Sequence, residues 1–73
     1  MGLVGYVNAG YEVIEQGQTA VIAQRISKHG VEYVAWHYHI EDGRPTFYWG
    51  RYGTDYELAK EAYDKKERGE YSG

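Results

Sequence analysis

Two histidines separated by one residue, His37 and His39, are the side chains of this sequence best suited to chemistry. Alternate residues of a β-strand point to the same side, so these imidazoles could share a metal ion with a third ligand. His29 is eight positions from His37, roughly 26 Å along an extended strand, and Glu41 could be reached only through the predicted turn. We therefore expect no metal site within one chain, and a site shared by two chains is the weaker hypothesis.

Groups suited to covalent or acid–base catalysis are scarce. The only serines are Ser27 and Ser72, and cysteine is absent, so a nucleophile with a matching base is not recognisable. The neighbouring carboxylates of Glu41 and Asp42 stand beside a glycine, which is typical of a solvated turn. The sequence thus predicts a protein without enzymatic activity and without a cofactor.

Aromatic side chains dominate the composition, with nine tyrosines, two tryptophans and one phenylalanine in 73 residues. Tyrosine and tryptophan suit half-buried sheet faces and are common at binding surfaces. The net charge of −3 argues against an all-round electrostatic attraction to nucleic acid, because such attraction normally requires a basic surface. Between positions 19 and 53, however, the charges nearly balance. This stretch contains three acidic residues, Glu32, Glu41 and Asp42, and four basic ones. These cations are Arg25, Lys28, Arg44 and Arg51.

The length and composition place the chain in a broad class. Seventy-three residues suffice for one small domain, and the lack of cysteine fits a reducing compartment. Positions 1–10 lack the basic and apolar regions of a signal peptide, and no window approaches the apolar length that spans a bilayer. We expect a soluble, cytoplasmic protein with no membrane partner and no small-molecule substrate.

The strands that would position these side chains follow from β-branched and aromatic runs separated by glycine. Positions 1–10 are rich in glycine and are predicted to form a flexible arm. Residues 11–52 are predicted to form an antiparallel meander. Its strands are Tyr11–Gln16, Thr19–Ser27, Val31–Ile40 and Thr46–Tyr52, with the turn Glu41–Pro45 before the last.

A helix is predicted at 54–68, followed by a frayed tail at 69–73. Thr54 and Glu57 match a capping box, in which Thr54 is the N-cap. Leu58, Ala59, Ala62 and Tyr63 form one narrow apolar stripe along the helix. The predicted fold is therefore α+β: a small antiparallel sheet of three to four strands with one C-terminal helix packed on one face.

The strand Val31–Ile40 divides its residues between two faces. Val34, Trp36, Tyr38 and Ile40 form the more apolar side and are predicted to build the core, whereas Tyr33, Ala35, His37 and His39 point the other way. One helix covers one face of a sheet. We therefore expect the second set to lie on an uncovered face and to form the binding site.

The strand-to-helix stretch resembles a known type of DNA-binding domain. Tyr48-Trp49-Gly50-Arg51-Tyr52, then Thr54, Glu57-Leu58-Ala59 and Ala62-Tyr63-Asp64, is similar to the end of the APETALA/ethylene-response-factor domain. Gly43-Arg44-Pro45-Thr46-Phe47 is similar to a turn in the related arm-binding domains of integrases. The same stretch also resembles small domains on mobile elements of Gram-positive gut bacteria.

The first resemblance implies a three-stranded sheet that enters the major groove of DNA, with Tyr48 facing the DNA and with Trp49 and Tyr52 in the core. Arg25, His37, His39 and Arg44 are added as expected contacts from strand parity and turn position, and not from the resemblance. The leading hypothesis is a small module that binds double-stranded DNA; the alternative is a protein-interaction or homodimerising module with an exposed tyrosine-rich face. The predicted binding residues are Arg25, Lys28, His37, His39, Arg44, Tyr48 and Arg51.

Overall fold

The computed structural model describes residues 2–70, which form a five-stranded antiparallel sheet followed by one helix. Each strand pairs with the next along the chain, so the sheet is a meander and the α+β class is confirmed. The elements are β1 (Val7–Asn8), β2 (Tyr11–Gln16), β3 (Ala20–Ser27), β4 (Gly30–Glu41), β5 (Arg44–Gly53) and α1 (Tyr56–Glu67). Within residues 2–70, no helix is long and apolar enough to cross a membrane.

The prediction of three to four strands is wrong, because the fifth strand comes from the segment expected to be a flexible arm. Val7 and Asn8 pair with Glu12 and Tyr11 of β2, and the side chain of Leu3 is fully buried. A strand of two residues is too short to show an alternating pattern, and an isolated leucine among glycines gives no periodic signal. Within the predicted arm the description begins at Gly2, since Met1 lies outside the described residues.

The sheet is strongly curved. The rings of Tyr11 in β2 and Tyr52 in β5 have centroids 5.9 Å apart, although β3 and β4 lie between their strands. In a flat sheet three strand spacings would separate them by about 14 Å. The sheet therefore curls as a half-barrel towards the side of these two tyrosines, which we call the inner face.

The inner face contains the main hydrophobic core. Its buried members come from the N-terminal segment and from β2, β3 and β4: Leu3, Tyr11, Val13, Val21, Ala23, Val34 and Trp36. Tyr38 and Phe47 pack against this cluster. The prediction that Val34 and Trp36 belong to the core is confirmed, whereas Ile40, at the far end of the same strand, is 41% exposed.

Helix α1 packs on the other side of the sheet, which we call the helix face. The buried residues of this face include Ala20 and Ala35, and the helix contributes Ala59 and Ala62. The ring of Tyr33 on the sheet contacts Tyr56 in the first turn of the helix, with centroids 5.6 Å apart. The small alanines allow close approach of the helix to the strands.

The expectation that this face stays uncovered is therefore wrong. Strand parity shows correctly which residues share a face, but it does not show which face the helix takes. The inner face is closed by the curvature of the sheet and by Leu3, so its apolar residues are buried without a helix. The helix accordingly covers the side of Ala35 and His37, and neither sheet face remains broadly open.

The helix begins one residue later than the capping box indicates. Asp55 is the N-cap, with extended backbone dihedrals, and its carboxylate accepts a hydrogen bond of 2.8 Å from the backbone N–H of Glu57. The prediction of Thr54 as the cap is wrong, because aspartate at the next position satisfies the same helix-start donors.

At the C-terminal end, the N–H groups of Gly69 and Glu70 donate to the carbonyls of Lys66 and Lys65. Residues 69 and 70 thus close the helix in a Schellman arrangement instead of fraying. Positions 71–73 of the predicted tail lie outside the described residues.

Candidate interaction surface at the β5 bulge

The strand β5 contains a bulge at Trp49 and Gly50. Tyr48 pairs with His37 and Arg51 with Ala35, so two residues of β5 oppose a single residue of β4. The backbone of Trp49 has a φ of 53°, in the left-handed region that is uncommon for a bulky side chain. Such a conformation costs about 1–2 kcal/mol for an L-residue.

Glycine is required next to Trp49 because the chain passes close to the core. A Cβ at Gly50 would lie 2.8 Å from the indole of Trp36 and 2.7 Å from the ring of Tyr52. Bulges redirect side chains at functional edges of sheets. Here the bulge leaves the Trp49 side chain 56% exposed, whereas the resemblance had implied a core position for it.

A buried lysine holds the bulge. The side chain of Lys66 is 1% exposed, and its Nζ donates a hydrogen bond of 2.7 Å to the carbonyl oxygen of Trp49. Burial, and then the nearby guanidinium of Arg51, lower the pKa of Lys66 to about 8. The last turn of α1 is thereby attached to the strained residue of β5.

Aromatic rings support Trp49 from the side of the sheet. The ring of His37 stacks on Tyr48 with centroids 5.5 Å apart, and Trp49 meets both rings edge-on, at 5.3 and 5.1 Å. The ring of His39 also contacts Tyr48, with centroids 5.7 Å apart. Burial, and then the charge of Lys66, hold the pKa of His37 below its ordinary value, which favours a neutral imidazole. Trp49 is thus presented on a packed aromatic base.

A groove lies beside the bulge, between β5 and α1. Its cavity volume is about 210 Å³, below the roughly 300–1,000 Å³ of sites that hold drug-sized ligands. This volume suits a single bulky side chain. Leu58 is an exposed apolar side chain of the lining, whereas the ring of Tyr52, also a lining residue, contacts Tyr11 and Trp36 on the inner face. The complete lining is Arg51, Tyr52, Gly53, Asp55, Leu58, Ala59, Ala62 and Lys65.

The charge along the groove is mainly positive, although the whole chain carries −3. Arg51 and Lys65 contribute cations, and Asp55 contributes the one carboxylate of the lining. Lys65 makes a helix-surface pair of 3.5 Å with Glu61, which is a weak interaction. Arg51 forms no ion pair with any residue from 2 to 70.

Glu67 attaches the last helical turn to residues 18–20, at the start of β3. Its carboxylate accepts backbone hydrogen bonds from Gln18, Thr19 and Ala20 at 2.7–2.9 Å. Burial acts to raise the pKa of Glu67, but these hydrogen bonds outweigh burial and hold the pKa below its ordinary value. A Cβ at Gly17 would lie 2.3 Å from the carboxyl carbon of Glu67, so glycine makes this approach feasible. Lys66 and Glu67 therefore anchor the helix to two different parts of the sheet.

Three of the predicted binding residues lie together at the bulge, and a fourth lies near them. His37, His39 and Tyr48 form the aromatic base, and Arg51 lines the neighbouring groove. The placement of His37 on an open face is wrong, because this side chain is 9% exposed beneath the helix. His39 remains exposed and pairs with Glu41 at 3.2 Å.

The other three predicted residues lie elsewhere. Arg25 forms an ion pair of 2.8 Å with Glu32 and lies over the ring of Tyr11, 4.8 Å from its centroid. Lys28 is in the β3–β4 turn and Arg44 begins β5, so they lie near opposite ends of the long strand β4. The seven predicted residues do not form one contiguous basic face.

The sequence patterns did not identify the exposed apolar residues of this surface or the lysine that holds the bulge. Trp49, Leu58 and Lys66 were not among the predicted binding residues. A signal for Lys66 was present, because it follows Ala59 and Ala62 at the i+7 and i+4 positions of the buried helical stripe. A lysine on such a stripe indicates a buried amine with a specific acceptor.

Among the described residues, no group of three or more histidine, aspartate or glutamate side chains could hold a metal ion. Comparison of the chain with protein-family models, with curated proteins and with solved structures finds no match. The resemblance to the APETALA/ethylene-response-factor and integrase arm-binding domains, and to mobile-element domains, therefore stays a prediction.

Proposed function

We propose that this chain is a non-catalytic protein-interaction module, which binds an acidic segment of a partner protein at the β5 bulge and the adjoining groove. The observation that carries the proposal is the exposed side chain of Trp49 on a left-handed backbone whose carbonyl is held by Lys66. Strained residues persist where surrounding structure enforces them, and they cluster at functional sites.

The anchoring contacts would come from two exposed apolar side chains, Trp49 at the bulge and Leu58 in the lining of the groove. Trp49 and Leu58 are 56% and 63% exposed, so both side chains are available to a partner. Tryptophan and tyrosine are enriched among the residues that contribute most to protein interfaces. The groove would accept one apolar side chain of the partner.

The charge of the partner follows from the rim of the groove. Arg51 has no ion-pair partner among residues 2–70, and Lys65 has one weak surface partner. A carboxylate next to the anchoring side chain of the partner would complement both cations. The charge of Lys66 interacts with that of Arg51 and adds to the positive potential at the rim.

The free edge of β5 is poorly suited to pairing with a further strand. Pro45 lacks an N–H donor, the bulge at Trp49 and Gly50 interrupts the regular ladder, and Arg44 and Arg51 add charge. These are common protections of a sheet edge against strand addition. We therefore propose that the partner binds through its side chains and not as a sixth strand.

Amide NMR titration tests this proposal. The probes are short peptides with one leucine or tryptophan flanked by glutamates, matched peptides with lysines in place of the glutamates, and peptides whose anchor is serine. We expect the glutamate peptides to shift the resonances of Arg51, Leu58 and Lys65. Arg51→Glu should weaken this binding, whereas Ile26→Gln, at an exposed apolar residue of β3, should not. Equal binding of the lysine peptides, or no shift at the groove, would overturn the proposal.

Binding of double-stranded DNA is the second candidate. Arg44 and Arg51 both lie on β5, and neither is paired within residues 2–70, so the strand carries two available cations. Phosphate contacts are strongest at low salt, so a mobility-shift titration should be made at about 50 mM salt. A shift that is lost in Arg44→Ala and Arg51→Ala would support this function; the absence of a shift would exclude it.

A further inference from the structure

The N-terminal segment, residues 2–8, is held by side-chain contacts with the rest of the domain. The backbone N–H of Leu3 donates to Oε1 of Gln16 at 2.7 Å, and the amide of Gln16 donates to the hydroxyl of Tyr38 at 3.1 Å. The rings of Tyr6 and Phe47 have centroids 5.8 Å apart. The Leu3 side chain is fully buried within the inner-face cluster.

Backbone hydrogen bonds extend the same attachment. Gly5 donates to the carbonyl of Val13 at 2.8 Å, and Val13 donates to the carbonyl of Tyr6 at 2.9 Å. Val7 and Asn8 then pair with β2. Apart from one local bond from Tyr6 to Leu3, these partners of the segment lie after residue 10. A second copy of the chain therefore offers the segment an identical binding site.

The turn that joins the segment to β2 is short and strained. Ala9 and Gly10 have φ values of 54° and 83°, so both residues adopt the left-handed conformation of a two-residue hairpin turn. The turn between β4 and β5 has nearly the same φ values, 54° and 76°, but it contains Asp42 and Gly43, which suit this geometry. Alanine has no side chain that compensates for the left-handed backbone.

We propose that two copies of this chain exchange their N-terminal segments. In the exchanged dimer, Ala9 and Gly10 adopt extended conformations, β1 of each copy pairs with β2 of the other, and Leu3 enters the inner-face core of its partner. The contacts of residues 2–8 described above are then made between the two copies, and the strain at Ala9 is released. Short strained hinges favour such an exchange, which gives a closed symmetric dimer. This proposal does not depend on the surface at the β5 bulge.

Disulfide trapping distinguishes the two arrangements, because the natural chain contains no cysteine. Val7 and Glu12 are exposed and directly opposite each other in β1 and β2, so the variant Val7→Cys with Glu12→Cys can report the pairing. After refolding at millimolar concentration and oxidation, we expect a covalent dimer in a non-reducing gel. After refolding at high dilution, the disulfide should form within one chain.

Substitutions at Ala9 test whether the strain of the turn favours the exchanged dimer. Ala9→Val disfavours the left-handed turn and suits an extended hinge, so it should raise the dimerisation constant about tenfold; Ala9→Asn should lower it. Asp42→Ala is the matched control, since it introduces the same residue type at the same φ in the other turn. Sedimentation of the cysteine-free variants measures these constants.

Two results would overturn the proposal. One is a purely monomeric product after concentrated refolding and oxidation, both in the natural turn and with Ala9→Val. The other is an equal rise of the trapped dimer with Asp42→Ala, which would show general destabilisation and not a specific hinge.

Discussion

Lys66, near the end of the helix, donates a hydrogen bond of 2.7 Å to the carbonyl oxygen of Trp49, 17 residues earlier in the chain. The donor is almost fully buried, and the acceptor belongs to a left-handed tryptophan whose side chain is exposed. This bond connects the only helix of the described chain to the bulge of β5. The shape of the proposed binding surface therefore depends on the position of the last helical turn against the sheet.

The lowered pKa of Lys66 predicts an unusual dependence of stability on pH. The folded-state pKa of about 8 lies below the ordinary 10.5, so the unfolded chain binds more protons between these pH values. The free energy of unfolding should therefore rise, by about 1–2 kcal/mol from about pH 7.5 to about pH 9.5. Urea unfolding at several pH values measures this rise. In Lys66→Met the rise should disappear, and parallel curves for the two proteins would contradict the assignment.

Substitution of Trp49 should have little effect on stability. Asparagine tolerates the left-handed backbone better than tryptophan, which offsets the lost contacts of a half-exposed ring. We expect Trp49→Asn to change the free energy of unfolding by less than about 1 kcal/mol, whereas Trp36→Ala should lose about 3–5 kcal/mol from the core. Thermal and urea unfolding of both variants provide the comparison. Equal losses would show that Trp49 is mainly structural.

The attachment of Glu67 predicts that two different substitutions act through one interaction. Glu67→Gln weakens the charge-assisted hydrogen bonds to Gln18, Thr19 and Ala20 and should lower the free energy of unfolding by about 1–2 kcal/mol. Gly17→Ala places a methyl group where the same carboxylate lies. In a double-mutant cycle the combined loss should be clearly smaller than the sum of the single losses.

Acid titration supplies the control for this cycle. The folded-state pKa of Glu67 is lowered, so its ionised carboxylate stabilises the folded state. This contribution to the free energy of unfolding is present above the ordinary carboxyl pKa and is lost as the pH falls through the folded-state pKa. Glu67→Gln should lack this part of the acid dependence. Additive losses in the cycle, or an unchanged acid profile, would contradict the assigned contacts.

The helix start provides a matched pair of substitutions. Asp55→Ala removes the acceptor for the N–H of Glu57 and should lower the free energy of unfolding by about 0.5–2 kcal/mol. Thr54→Ala removes an exposed side chain outside the helix and should change it by less than about 0.5 kcal/mol. Urea unfolding separates the two, and the reverse order would restore Thr54 as the cap.

Local patterns in the sequence were sufficient for much of the fold. The aromatic and β-branched runs predicted the strand Tyr11–Gln16 and the long strand around Trp36, and Asp42 with Gly43 marked the turn between that long strand and β5. The helix was predicted from its apolar stripe and its acidic start. Each of these signals depends on neighbours within a few residues, where backbone propensity and side-chain period act directly.

Features that depend on distant contacts were not predictable in the same way. The burial of Leu3 requires the curved inner face, which forms only when β2 and β5 approach each other. The exposure of Trp49 depends on a bulge whose register is set across two strands. The side of the sheet that α1 covers depends on which face is already closed. Such choices are made by tertiary packing, and strand parity alone does not contain them.

The most direct test of the proposed interaction surface is the affinity of a glutamate-flanked leucine or tryptophan peptide for Trp49→Asn, compared with the unsubstituted protein. Ile26→Gln serves as the control, since it also removes an exposed apolar side chain but lies on β3. We expect Trp49→Asn to retain the fold and to lose at least about tenfold in affinity, as a central aromatic contact predicts. Unchanged affinity in a folded Trp49→Asn protein would contradict the proposed surface.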